Sequence, residues 1–247
     1  MFLALDIGNS HVVCAVNNSN KWMHNIRISS NLDFWNKFKT LKEYDITHAA
    51  ISSVVPKLTT TYVESIRNIF HIDTFIITHK NSGVKLNVKV PKEVGVDRIC
   101  NTAAAVKLSG CPTIVGDIGS ATNYDVIDEK GAFIGGAIAP GPETAARNLF
   151  EKGALLKETT FTLPNSVIGK DTDTNLQSGI MMGAIDAIDG MFGRIQHETG
   201  WENPHTIITG GFGEMISPHL KTKHMLIPTL TLDGIKIIYE KTSDFSG

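Results

Sequence analysis

The sequence predicts an α/β protein made of two copies of one unit, each a sheet flanked by helices. Two observations carry this reading. The tripeptide Asp-Ile-Gly closes an apolar run at Asp6-Ile7-Gly8 and again at Asp117-Ile118-Gly119, 111 residues later. Around each copy the same order recurs: three strand-like runs, then alternating helical and strand-like segments.

Phe2 to Gly8 and His11 to Val16 are short apolar runs joined by a turn at Gly8-Asn9-Ser10, and Lys21 to Ile28 is a third strand. Asn31 to Tyr44, with Leu32, Phe34, Trp35, Phe38 and Leu41 near helical spacing, reads as an amphipathic helix. Ala49 to Val55 is a strand, Leu58 to Phe70 a helix and Thr74 to Thr78 a strand. A helix over Val96 to Leu108 opens the second half. Strands follow at Thr113 to Gly119, Tyr124 to Asp128 and Ala132 to Ala139, then helices at Glu143 to Lys157 and Thr174 to Glu198. The strand His205 to Thr209, a short helix over Glu214 to Leu220 and a strand over Met225 to Ile227 complete the series. The expected division falls between 1–95 and 96–247.

The 247 residues suffice for a large core, and 42% hydrophobic with 19% charged residues is ordinary globular composition. A net charge of −2 with 23 Lys plus Arg offers no basic excess for nucleic acid. No stretch approaches the ~20 apolar residues of a membrane span. Cys14, Cys100 and Cys111 are widely spaced in apolar runs, which fits reduced, buried thiols and a cytoplasmic protein. The histidines show no pair at zinc-ligand spacing.

A turn after a strand, containing Gly and small hydroxyl residues, offers backbone N–H groups that wrap a phosphate. Each turn also carries a carboxylate, Asp6 or Asp117, which repels phosphate unless a cation such as Mg²⁺ intervenes. A single Asp-Ile-Gly is equally a plain hairpin; its recurrence at matching places favours nucleotide phosphates. Thr209-Gly-Gly-Phe-Gly213 and Gly135-Gly-Ala-Ile-Ala-Pro-Gly141 each join a strand to a helix, as tight turns or as close approaches to a ligand. In Glu93-Val-Gly-Val-Asp-Arg98, Asp97 can accept a substrate hydroxyl proton and Arg98 can pair with a carboxylate; alternatively Asp97 complements the charge of a helix N-terminus and Arg98 is a solvated surface residue. Thr172 reads as an N-cap, and Met181, Met182, Ile185, Ile188 and Met191 as core or subunit contact.

Together these motifs resemble the superfamily of acetate and sugar kinases, heat-shock chaperone ATPases and actin, and more finely the type III pantothenate kinases. The likeness also takes in Ile51-Ser-Ser-Val-Val-Pro56, Gly169-Lys-Asp-Thr172 and Gln177-Ser-Gly179. It implies duplicated ribonuclease H-like (actin-like ATPase) domains, each a mixed five-stranded sheet flanked by helices, with ATP in the cleft between them. It implies ATP-dependent phosphorylation of pantothenate, the first step toward coenzyme A, with Asp97 as proton acceptor. By the same resemblance Asp6, Ile7, Gly8, Asn9, Ser10, His11, Val12, Val13 and Ser120 contact ATP. Gly95, Val96, Asp97, Arg98 and Thr172 contact pantothenate. Asp117 holds a monovalent cation, K⁺ or NH₄⁺, and Asp6 the Mg²⁺ that accompanies ATP, directly or through water. A homodimer is implied too, and would account for the apolar helix from Thr174. The chain departs from the family at Ser10, His11, Val12, Val88 and Val96; Val12 lacks a hydroxyl, which predicts weaker phosphate affinity. The competing readings are a regulatory protein that lost catalysis and a kinase for another small hydroxylated substrate.

Overall fold

The computed structural model describes residues 1–19, 21–29, 38–153 and 159–243. Among the described residues ten strands form two sheets. β1 (Phe2–Ile7), β2 (His11–Asn18), β3 (Lys21–Ser29), β4 (His48–Ser53) and β5 (Thr74–Ile76) make the first, in the order β3-β2-β1-β4-β5. β6 (Thr113–Ile118), β7 (Ala121–Ile127), β8 (Phe133–Pro140), β9 (His205–Thr209) and β10 (Met225–Leu226) make the second, in the order β10-β9-β6-β7-β8. Read from the opposite edge, the second order repeats the first. In both, two antiparallel pairings join the first three strands and parallel pairings join the rest, so each sheet is mixed.

The central strands β1 and β6 are buried on both faces, which is why they read as continuous apolar runs. Their alternation still sorts side chains. Leu3, Leu5 and Ile7 join a core with Tyr62 and Ile66 of helix α1 (Pro56–Phe70). Phe2 and Ala4 face the other way, toward Ile99, Cys100 and Ala103 of helix α2 (Val96–Leu108). Asp6 shares that second face by its period-2 position. In the second sheet Ile114 and Ile118 pack with residues of the helical segment that follows Gly169.

That segment is not the single helix expected over Thr174 to Glu198. After α3 (Pro142–Lys152) come α4 (Thr172–Gln177), a π-helical turn at Ser178–Met182, and α5 (Gly183–Thr199). Ser178 Oγ donates to the Val167 carbonyl at 2.6 Å, tying the π turn to the preceding loop. Met181, Ile185, Ile188 and Phe192 are buried in this unit's own core, so core packing accounts for the apolar face that the dimer expectation drew on. Gly116 makes room for it: a Cβ there would lie 2.8 Å from the Phe192 ring.

The helix expected over Asn31 to Tyr44 lies partly outside the described residues; what is described ends in a 3₁₀ turn at Thr40–Glu43 that buries Leu41. The tail of the helix expected to reach Lys157 also lies outside them. The short α6 (Gly213–Ile216) follows β9. A last helix, α7 (Leu230–Ser243), has no counterpart among the expected elements. The chain folds into two compact units, Met1–Leu108 with Thr229–Gly247, and Ser109–Pro228. This differs from a boundary after residue 95, because α2 and α7 pack on the first sheet: Leu232, Ile235 and Ile238 share the core of Phe2 and Ala4. The three cysteines are free; Cys14 and Cys100 are buried, but Cys111 is only half-buried.

Candidate active site

In the first unit, β1 ends at Ile7 and the chain reverses through Gly8, Asn9, Ser10 and His11. The Gly8 N–H donates to the His11 carbonyl at 2.9 Å, closing the turn, while Asn9 and Ser10 are exposed. Ile7 and Val12, paired across the hairpin, are buried in the core, so only their backbone can touch a ligand. The absence of a hydroxyl at Val12 therefore removes no ligand-facing group, and the basis for expecting weaker phosphate affinity falls away. His11 Nδ1 lies 3.2 Å from an Arg27 Nη. A guanidinium has only donors, so Nδ1 accepts and the imidazole carries its proton on Nε2.

Asp6, half-buried at the C-terminal end of β1, is in register with Ser52 of the parallel strand β4. Ser52 Oγ donates to Asp6 Oδ1 at 2.9 Å. Asp97 and Cys100 of α2 stand on the same side: burial drives the Cys100 thiol pKa well up, and the nearby charges of Asp6 and Asp97 add to it.

Asp97 occupies the first turn of α2, and its Oδ1 accepts from the Arg98 backbone N–H at 2.9 Å. A Cβ on Gly95 would overlap that oxygen, so glycine is what lets the carboxylate fold back over the helix start. Burial raises the Asp97 pKa above the ordinary carboxylate value, and the Arg98 N–H and charge oppose the rise. Val96, Asp97 and Arg98 are all half-buried.

The second unit repeats the turn one residue shorter. The Gly119 N–H donates to the Ala121 carbonyl at 2.9 Å. Asp117 is in register with Thr209 of β9, and the glycine-rich turn after Thr209 closes on it. Gly210 adopts φ +89°; a Cβ there would overlap Asp117 Oδ1 and lie 2.6 Å from Ile118 N and O. Gly141 does the same for the turn itself. Its N–H donates to the Ser120 carbonyl at 3.0 Å, Thr144 Oγ1 donates to the same carbonyl at 2.6 Å, and a Cβ on Gly141 would overlap the Gly119 carbonyl. Both glycine-rich stretches thus dock on the second Asp-Ile-Gly. Thr172 is exposed as the first residue of α4, but Asp171 is the N-cap, in a capping box with Thr174.

Among the described residues no three His, Cys, Asp or Glu side chains cluster as a closed metal cage. One carboxylate per turn, with hydroxyl and carbonyl oxygens beside it, is a donor set that suits a hard cation sharing its ligands with phosphates and water. Cys100 was read from the sequence only as a buried thiol and Ser52 only as part of Ile51-Ser-Ser-Val-Val-Pro56; neither was given a place at the site.

The family model described as type III pantothenate kinase matches residues 2–194. The type III pantothenate kinase of Agathobacter rectalis is 34% identical over 256 residues, spanning 98% of this chain and 97% of its own. That of Thermomicrobium roseum is 36% identical over 253 residues, spanning 98% and 97%. Among solved structures, a Baf family transcriptional activator from Campylobacter jejuni matches with TM-score 0.63 at 18% identity, covering 98% of this chain and 99% of that one. The activator of the 2-hydroxyisocaproyl-CoA dehydratase from Clostridium difficile, with bound ADPNP, matches with TM-score 0.52 at 10% identity, covering 99% and 96%. Those two likenesses show the fold, that of the actin-like ATPases. The family match and the end-to-end identity above 30% go further: the chain belongs to the type III pantothenate kinases, phosphotransferases of coenzyme A biosynthesis.

Proposed function

We propose that this kinase transfers the γ-phosphoryl group of ATP directly and in line to the terminal hydroxyl of pantothenate, with Asp97 accepting the hydroxyl proton. The new bond joins the pantothenate oxygen to phosphorus, the bond to the ADP oxygen breaks, and no phosphoenzyme forms. The observation that carries this reading is the state of Asp97. Its carboxylate is half-buried, pushed toward greater basicity by burial, and held by the Arg98 N–H over Gly95. A base works best when its pKa lies nearer the operating pH than an exposed carboxylate's does.

Residues Asp6 to Val13 and Ser120 form the ATP contacts in this reading, through backbone N–H groups and the exposed Asn9 and Ser10 side chains. Gly95 to Arg98 and Thr172 contact pantothenate, with Arg98 facing its carboxylate. Asp6 holds the Mg²⁺ that accompanies ATP, and Asp117 a monovalent cation, K⁺ or NH₄⁺. When bound, these cations neutralise phosphate charge. Homodimer assembly is part of the proposal, and the exposed Val167 and Ile168 just before Thr172 support it; light scattering that gives a monomer mass would count against it.

The deciding assay is ADP release with Mg²⁺ and K⁺ or NH₄⁺ present. Release that requires pantothenate is the expected result; ATP turnover indifferent to pantothenate overturns the proposal.

A further inference from the structure

Ser52 is fully buried at the end of β4 and spends its proton on Asp6 Oδ1. Cys100 of α2 is also fully buried, and the Asp6 charge adds to the rise of its thiol pKa. The second unit places a hydroxyl residue in the same relation: Thr209, 1% exposed, is in register with Asp117 across the parallel pair β6 and β9. Two copies of the unit put a buried hydroxyl residue beside the Asp-Ile-Gly carboxylate, at very different separations along the chain.

We infer that Ser52 is a positioning residue for nucleotide binding: from the neighbouring parallel strand it holds Asp6 Oδ1 at the end of β1, where the Gly8–His11 turn begins. A carboxylate at a strand end otherwise samples several staggered rotamers, and freezing it on binding costs affinity. A hydrogen bond to an ionised acceptor, shielded from water by burial, removes that cost beforehand. Since the role runs through Asp6, the inference rests on the phosphate-turn reading proposed above.

The test is calorimetry of the full chain with Mg²⁺ and the non-hydrolysable analogue ADPNP, alongside steady-state kinetics. Ser52→Ala should weaken ADPNP binding by about fivefold or more, as loss of a charge-assisted bond predicts. The KM for pantothenate should stay within about twofold, and in an Asp6→Ala background Ser52→Ala should change ADPNP affinity by less than about twofold. Wild-type affinity in Ser52→Ala, or an equal loss in both backgrounds, would overturn the inference. If Ser52→Ala does not fold, Ser52→Cys, a weaker donor of similar size, carries the same comparison. Asp6→Ala binding ADPNP as wild type does would overturn the phosphate-turn reading along with this one. Weakened Asp6→Ala with unaltered Ser52→Ala overturns only the role of Ser52.

Discussion

Gly234 of α7 rests against the backbone of Cys100 in α2: a Cβ on Gly234 would overlap the Cys100 carbonyl and lie 2.8 Å from its Cα. The two helices therefore meet backbone to backbone, three residues past Asp97. Thr231 Oγ1 adds a hydrogen bond to Asn101 Oδ1 at 2.8 Å, and Trp22 Nε1 anchors Asp233 at 2.7 Å. α7 thereby braces α2 one turn past Asp97.

Gly234→Ala should force α2 and α7 apart. Overpacking of this kind costs about 2 kcal/mol net of the gain in helix propensity. Chemical denaturation should show that loss, and kcat should fall with it. An Ala variant with wild-type stability would mean that the helices can separate freely.

Asp97→Asn should lower kcat by at least about 10²-fold, the usual scale for loss of a general base, and should also raise Tm at neutral pH. The sign follows from linkage. The folded-state pKa of Asp97 is raised, so the folded protein binds that proton more tightly than the unfolded chain. Ionised Asp97 opposes folding above its folded pKa, and the penalty disappears as pH falls below the unfolded value. Scanning calorimetry at neutral pH and at about pH 3, below the usual carboxylate pKa, should show the difference between variant and wild type shrink at acid pH.

The same raised pKa sets the acid limb of kcat/KM, which should lie above the ordinary carboxylate range. The Arg98 charge lowers that pKa. Arg98→Gln should therefore move the limb to higher pH while raising the KM for pantothenate. A limb that stays put would detach it from Asp97.

Gly210→Ala should disturb Asp117 in particular, because the added methyl group meets Asp117 Oδ1 and demands φ +89° of a residue with a Cβ. A shift of about tenfold or more in the K⁺ or NH₄⁺ concentration for half-maximal activity is the expected reading, on the scale of losing one ligand-positioning contact. Unchanged cation dependence would separate Asp117 from the cation.

The sequence by itself determined the duplicated architecture, the strand ends at Asp6 and Asp117, and the helix that begins at Val96. Those features are local: apolar periodicity, turn residues and a repeated tripeptide all lie within a few residues of one another. The terminal helix was less legible. Gly234 and two threonines, Thr231 and Thr242, dilute its helical signal, although Leu232, Ile235 and Ile238 are spaced for one face. The break at Ser178–Met182 was equally hidden, because a π turn leaves the apolar pattern nearly intact.

Only the tertiary structure decided which residues meet. Ser52 reaches Asp6 through the register of two parallel strands, β1 and β4, between which β2 and β3 intervene in the chain, and no spacing rule links them. Burial of Val12, Met181 and Ile188 likewise depends on which face a neighbouring element covers. The basicity of Asp97 is the clearest case. Its identity and its place at a helix start are in the sequence, but its pKa is raised by desolvation, which exists only once α2 is packed on the sheet and braced by α7.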